Sequence, residues 1–467
     1  MKHNFDSSII RAYDIRGIYD ETLYDQDAYF VGRAFAAFMC KNNKKKISVA
    51  CDGRLSSPAL KSQLIKGLLE SGLEVVDIGL GPTPMLYFSV YHLVCDAGIM
   101  VTGSHNPGHH NGFKIILKER PFFGNDILGL QKIAANGDFI EGNGVLKKID
   151  IEDEYVSNII SDCILDDANM KIVWDAGNGA AGSVIKKISS KINAKHFLLF
   201  AEIDGNFPNH HPDPTVEKNL QDLKQKILQE KCDIGIAFDG DGDRIGVMDD
   251  EGEILWGDQL LIFYAREVLQ KNKGATIIAD VKASKVLFDE IAKAGGNALM
   301  WKTGHSFVKA KMKETHAPLA GEMSGHIFFA DKYLSKQNHG YDDALYAAIR
   351  IINILAKSSG KKLSDLRKSL PKTFSTAEIR IEVDEKEKFI IADKIKQNVK
   401  NQELNINDVD GVRVTTSDGW WLLRASNTQA VLVARCEANS FENLEKLKEN
   451  LRKNLELLNV KIPQELL

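Results

Sequence analysis

The 467-residue sequence lacks a surplus of charge of either sign: 60 Lys and Arg stand against 64 Asp and Glu, a formal net charge of −4. So balanced a chain gives no electrostatic case for nucleic acid or an anionic membrane, and any anion site must be local. Cysteine is sparse. Cys40, Cys51, Cys95, Cys163, Cys232 and Cys436 are scattered, without a C-x-x-C pair or zinc-like spacing. That excludes a zinc module and predicts buried, reduced thiols. Apolar runs are short, none approaching the ~18 residues of a membrane span. The first residues, Met1 to Ser8, have no apolar signal core. The expectation is a cytoplasmic protein that binds neither nucleic acid nor membrane.

What is present is an ordinary globular composition, 44% apolar and 27% charged, long enough for about three or four domains. Three stretches share one pattern: Lys46 to Asp52, Lys171 to Asp175 and Ala275 to Asp280 are apolar runs that end in Asp. Each leads through a small-residue loop and a helical pattern to a second strand, at Leu73–Ile78, Ala194–Phe200 and Ala298–Trp301. Near-continuous apolar strands alternating with helices mark sheets covered on both faces. Three tandem α/β units are predicted. The last hundred residues differ, with an alternating strand at Ser375–Val383 and two strands joined by a Ser-Asp-Gly turn. A third strand then precedes an amphipathic helix from about Ser440 to Leu458, which together make an α+β module. The polar stretch from Ser358 to Leu363, followed by Pro371, reads as the linker before it.

Chemistry concentrates in two loops. Val101-Thr-Gly-Ser-His-Asn-Pro107 follows an apolar run and presents Ser104 beside His105 and Asn106, with Lys114 further on. A serine needs a base or a metal to react. Phe238-Asp-Gly-Asp-Gly-Asp-Arg244 ends another apolar run. Its glycines let the backbone fold sharply enough for Asp239, Asp241 and Asp243 to converge. Converging carboxylates repel, and a cation is the natural remedy. A calcium EF-hand fits poorly, because Arg244 and Asp250 stand where its Gly and Glu belong. The bland alternative is a solvated acidic turn. Together the two loops suggest phosphoryl chemistry on a serine, assisted by a divalent cation.

Weaker motifs accompany them. Gly321-Glu-Met-Ser-Gly-His326 can aim a carboxylate and a hydroxyl at neighbouring sugar hydroxyls, and Lys302-Thr-Gly-His305 carries a lone His that is as readily structural. Arg424-Ala-Ser-Asn-Thr428 offers a guanidinium, two hydroxyls and an amide, a set suited to phosphate and equally ordinary in a turn. Arg11-Ala-Tyr-Asp-Ile-Arg-Gly17 either lines a cleft or pairs with acidic neighbours.

In this order, the four loops resemble the α-D-phosphohexomutases, specifically the bacterial phosphomannomutase/phosphoglucomutase branch, over essentially the whole chain. The resemblance implies four domains around a central cleft, here divided as 1–150, 151–252, 253–365 and 366–467. It implies that Ser104 is carried as phosphoserine and binds Mg²⁺ together with Asp239, Asp241 and Asp243. Glu322 and Ser324 would contact sugar hydroxyls, and Arg424, Ser426, Asn427 and Thr428 would grip the phosphate that is not reacting. Tyr13, Arg16, Lys114, Arg244, Lys285, His305 and His326 would lie in the cleft, with Lys114 and His305 as candidates for general acid and base. The implied reaction moves a phosphoryl group between C1 and C6 of a hexose phosphate, with a hexose 1,6-bisphosphate as intermediate and activator. The implied enzyme is a monomer or weak oligomer acting on small sugar phosphates. Met323 and the Ser426-Asn-Thr428 run favour mannose and glucose phosphates over an amino sugar. Competing readings are a phosphoglucosamine mutase, a metal-dependent sugar phosphatase and an inactive sugar-phosphate-binding homologue.

Overall fold

The computed structural model describes residues 1–333, 336–384, 386–400, 404–426 and 430–467. Its first unit centres on a six-stranded sheet. The buried strand Lys46–Cys51 lies between Glu74–Leu80 and Ala97–Val101, parallel to both. His110–Leu117 then turns back antiparallel to Ala97–Val101, and Ile15–Ile18 pairs along its far edge. The sheet is therefore mixed, and the antiparallel return of His110–Leu117 brings Lys114 back towards the serine loop.

The second unit pairs Asp166–Asp175 parallel to both Asn193–Leu199 and Ile234–Phe238. Ile245–Asp249 runs back against Ile234–Phe238, so the aspartate loop is the connection of a hairpin. In the third unit Thr276–Asp280 is flanked in parallel by Asn297–Trp301 and Leu319–Gly321. The fourth is antiparallel among its described strands, with Gly419–Ala425 between Val412–Thr415 and Val431–Ala438. Helices Lys388–Lys400 and Phe441–Glu456 pack against that sheet, the second capped by the Ser440 hydroxyl. Three α/β units and a C-terminal α+β unit are thus the architecture.

The cores are not four separate ones. A single apolar cluster runs from Ala50 and Val76 in the first unit through the second and third units to Leu363 and Leu370. The fourth unit has its own core around Trp421, Leu423 and Leu451. This division moves the expected linker. The polar stretch at 358–363 is a loop leading into the short helix Leu363–Lys368, which is tied to the second unit by Arg367 Nε donating to Asp249. The crossing to the fourth unit comes after Leu370, because Leu363 and Leu370 are buried with the other three units. The strand expected over Ser375–Val383 is interrupted, pairing as Phe374–Ser375 and Ile379–Glu382.

All six cysteines are free, and burial pushes the thiols of Cys51, Cys95 and Cys232 up to about 11 and that of Cys436 to about 12. They stay protonated and inert at neutral pH. Among the described residues no helix is long and apolar enough to cross a membrane.

Candidate functional site

Strand Ala97–Val101 is wholly buried and delivers the chain into the serine loop. Ser104 sits there at φ +52°, a left-handed conformation that a non-glycine residue adopts at a cost, and it is 1% exposed. What imposes the shape is Arg54. Its guanidinium donates to the carbonyls of Ser104 and Asn106 at 2.6 Å each, and to those of Pro107 and His110. The loop wraps this side chain so closely that a Cβ on Gly103 would come within 2.5 Å of the Arg54 Cζ. Asp52, just past strand Lys46–Cys51, holds Arg54 in turn and accepts from Thr102 Oγ1 (2.8 Å) and Ser57 Oγ (2.5 Å).

The aspartate loop comes to meet the serine. Ser104 Oγ donates to Asp239 Oδ2 at 2.9 Å, and the other Asp239 oxygen accepts the backbone N–H groups of Asp243 and Arg244. Asp239, Asp241 and Asp243 are fully buried, with one oxygen of each within 4.8 Å of the others. Lys114 Nζ donates to Asp241 Oδ2 at 2.7 Å and also to Asp243 Oδ2. Thr83, from the first unit, donates its hydroxyl to Asp241 Oδ2 (2.5 Å) and its backbone N–H to the Asp241 carbonyl (2.8 Å).

These charges pull in different directions. Burial and the neighbouring Asp243 and Asp241 push the Asp239 carboxyl well above the ordinary carboxylate range. Burial opposes ionisation of Asp241 too, but the Lys114 ammonium and the Thr83 hydroxyl hold it below that range. Lys114 is itself held charged, the aspartates outweighing its burial. Even so, Asp241 Oδ1 and Asp243 Oδ1 are buried without a hydrogen-bond partner. Three buried carboxylates, two with a bare oxygen, against one lysine make a donor set that fits a hard divalent cation. A second cluster, Asp243, His326 and Asp342, is just as compact. Arg244 Nε donates to His326 Nε2 at 3.0 Å, so a neutral ring keeps its proton on Nδ1, the nitrogen a metal would need. That Nδ1 lies 2.9 Å from Asp342 Oδ2 and 3.5 Å from Asp243 Oδ1.

The Gly321–His326 loop is anchored to the aspartate hairpin, for Ile245 N–H donates to the Gly325 carbonyl at 3.1 Å. Glu322 Oε1 accepts from Gly304 N–H at 2.5 Å, and Ser324 is half-buried beside it. His305 starts helix His305–Thr315 with both ring nitrogens buried and unpartnered, and burial holds it neutral. Its ring packs edge-on against Tyr13 of the first unit at 5.2 Å and beside His326 at 5.9 Å. Arg16 pairs with Asp14 at 2.6 Å and reaches Asn106 of the serine loop. Of the two alternatives for this N-terminal motif, pairing with an acidic neighbour is realised.

In the fourth unit Arg424 leaves strand Gly419–Ala425 and donates through Nε to Asp410 at 2.9 Å; the same Asp410 oxygen accepts from Thr303 N–H of the third unit. Ser426 is buried beside it, whereas Asn427 and Thr428 lie outside the described residues. Lys285 stands apart from the cluster. It is exposed at the start of helix Lys285–Lys293 and pairs with Asp289 one turn on. The lysine the fold buries here is Lys282, 3.2 Å from Glu378 of the fourth unit and 4.0 Å from Asp280. The sequence places two lysines in one short segment, and only burial tells them apart. Thr83, Glu378 and Asp410 were likewise invisible, since each is defined by a contact across units. Asp52 and Asp280 did leave a signal, the repeated Asp after an apolar strand. Both turn out to pin the following loops, Asp280 accepting from Met323 N–H and Thr303 Oγ1.

Comparison with known proteins agrees with this geometry. Four family models match in chain order: phosphoglucomutase/phosphomannomutase alpha/beta/alpha domain I at 7–140, domain II at 153–252, domain III at 256–374 and the C-terminal domain at 378–454. A phosphomannomutase/phosphoglucomutase of Pseudomonas putida is 45% identical over 448 residues, covering 96% of this chain and 95% of that one. A phosphoglucomutase of Neisseria meningitidis is 40% identical, covering 97% and 98%. The crystal structure of a phosphoglucomutase/phosphomannomutase family protein from Burkholderia thailandensis superposes with a TM-score of 0.91 at 41% identity, over 98% of this chain and 100% of that one. An Aspergillus fumigatus N-acetylphosphoglucosamine mutase, solved with GlcNAc-6P and magnesium, shares the fold at 14% identity, TM-score 0.62, over 96% and 95% of the two chains. Ser104, the aspartate hairpin, the Gly321–His326 loop and Arg424 fall one in each matched domain, and the chain belongs to the phosphoglucomutase/phosphomannomutase family.

Proposed function

We propose that this enzyme moves a phosphoryl group reversibly between C1 and C6 of glucose and mannose phosphates, with Ser104 as its phosphorylated intermediate carrier. The observation that carries the reading is the 2.9 Å bond from Ser104 Oγ to Asp239, inside a buried group of three carboxylates. Asp239, Asp241 and Asp243 would hold Mg²⁺, with the phosphate of the modified Ser104. When bound, the ion supplies charge neutralisation at the transferring phosphoryl group.

The chain's own residues do the rest. Arg424 and Ser426, with Lys282 near them, bind the phosphate that is not reacting, while Glu322 and Ser324 orient the ring through its hydroxyls. The free sugar hydroxyl then attacks the phosphorus on Ser104; the new O–P bond forms as the Oγ–P bond breaks, giving a hexose 1,6-bisphosphate and free Ser104. The hydroxyl proton passes to His305, and Ser104 Oγ takes up a proton from Lys114 as the Oγ–P bond breaks. His305 is neutral with both nitrogens free, and His326 is oriented by Arg244 and Asp342. Lys114, Arg16 and Arg244 contribute positive charge around the serine loop. The bisphosphate turns over in the cleft and returns its other phosphate to Ser104, so one clamp serves both ends of the sugar. With this reading go the division into four domains, the first two boundaries at 150 and 252 and the last moved past Leu370, a cytoplasmic location, a monomer or weak oligomer, and activation by trace hexose 1,6-bisphosphate.

The test is coupled turnover of mannose 1-phosphate, glucose 1-phosphate and glucosamine 1-phosphate with Mg²⁺ and trace bisphosphate. Comparable kcat/KM for the first two and little for the third is the expected result. Preference for the amino sugar, or release of inorganic phosphate in place of isomerised sugar phosphate, would contradict it.

A further inference from the structure

The two cations of the proposed phosphate clamp, Lys282 and Arg424, are both engaged by carboxylates of the fourth unit. Lys282 is 7% exposed, and its ammonium lies 3.2 Å from Glu378. Arg424 is 5% exposed, and its Nε–H is taken by Asp410 at 2.9 Å. A buried cation without a partner is costly, and a carboxylate at hydrogen-bond distance offsets much of its attraction for a further anion. A phosphate dianion arriving at this clamp therefore meets cations that are already half neutralised. Glu378 stays ionised beside them, since Lys282 above all draws its carboxyl down to about 2.

We propose that Glu378 and Asp410 are internal counter-anions of the phosphate clamp, weakening its grip so that a bisphosphate can be released, turned and gripped again within one cycle. The inference rests on the mutase reading, in which the same clamp must let go between two half-reactions. Binding energy spent equally on every bound state would only slow that exchange. Neither carboxylate is a catalytic residue. Glu378 acts through Lys282, and Asp410 acts through Arg424. Both sit where the fourth unit meets the third. Glu378 immediately precedes strand Ile379–Glu382, and Asp410 precedes strand Val412–Thr415. Each reaches from the fourth unit into the third, Asp410 also accepting from Thr303 N–H.

The variants Glu378→Gln and Asp410→Asn in the full chain test this, with inorganic phosphate titrated calorimetrically and glucose 1-phosphate used for steady-state kinetics. Removing a counter-charge should tighten phosphate by about fivefold. KM for glucose 1-phosphate should fall with it, and kcat should fall too, because the clamp now lets go slowly. Weaker phosphate binding with a raised KM would make the pairs mere latches between the units and overturn the proposal, as would unchanged phosphate affinity in both variants. If Glu378→Gln does not fold, Asp410→Asn decides. If the wild type binds phosphate but isomerises no hexose phosphate, the mutase reading falls, and calorimetry alone still decides whether the carboxylates oppose phosphate.

Discussion

Ser104 is shaped by neighbours that do no chemistry themselves. Its backbone is left-handed because Arg54 collects four loop carbonyls, and Gly103 leaves the room for that guanidinium. Ser104→Ala should lose about three orders of magnitude or more in turnover while still binding sugar phosphate, checked by coupled assay and calorimetry. Gly103→Ala should displace the loop at a cost of about 1–3 kcal/mol, read as a lowered Tm together with lost turnover. Asp241→Asn removes a charge from the proposed cation site, so Mg²⁺ affinity should fall by about tenfold or more in a metal titration of the protein. Undiminished affinity would move the site elsewhere. At this scale the sequence was most legible where residues cluster locally, in the Thr-Gly-Ser-His-Asn and Asp-Gly-Asp-Gly-Asp runs. It was silent on Arg54, Thr83 and Lys282, whose roles come from segments far apart in the chain. It also pointed to Lys285, which the fold leaves on the surface.

Single elements carry consequences of their own. Helix Ala344–Ala356 is buried along most of its length, and Asp343 caps it by accepting from Tyr346 N–H. Tyr155 of the second unit donates to the same carboxylate at 3.0 Å. Burial raises the Asp343 carboxyl from 3.8 to about 7. A raised folded value means that the folded protein keeps a proton the unfolded chain releases. The stabilisation is complete below about pH 4 and is lost as the pH rises through about 7. Asp343→Asn keeps an acceptor for the cap and removes the ionisation. The variant should match the wild type near pH 4 and exceed its stability on the order of 2 kcal/mol at pH 8, measured by denaturant unfolding at both pH values. Equal stability throughout would show that Asp343 ionises freely. The elements themselves were well foreshadowed. The apolar runs at Lys46, Lys171 and Ala275 are all strands, because continuous burial writes itself directly into composition. The alternation over Ser375–Val383 misled in part, since that stretch splits into two short strands.

Across the whole molecule, one apolar cluster runs through parts of three units, while the first and the fourth each also keep a cluster of their own. The fourth docks on the third through a small apolar cluster, Val281 against Trp420 and Leu422, set among polar contacts: Arg413 donates to the Val281 and Ala283 carbonyls, and Arg435 donates to that of Lys282. A boundary of this kind lets a domain move more readily than a continuous core does, which suits a unit that must release and regrip its ligand. Arg424→Ala should raise KM for 1- and 6-phosphates alike, by about tenfold, because one clamp serves both orientations. Loss for one isomer alone would contradict an intermediate that turns over. The sequence signalled four units in order but misplaced the last crossing. The stretch Ser358–Lys362 is polar enough to look like a linker, and only the burial of Leu363 and Leu370 keeps the chain with the third unit. The most direct measurement follows phosphate itself: isotopically labelled glucose 1,6-bisphosphate is mixed with the dephosphorylated enzyme, quenched, and the label mapped by peptide. Label on Ser104 that a chase of unlabelled glucose 1-phosphate carries off as bisphosphate is the expected result. Label absent from Ser104, or discharged only to water, would contradict the phosphoserine mechanism at its root.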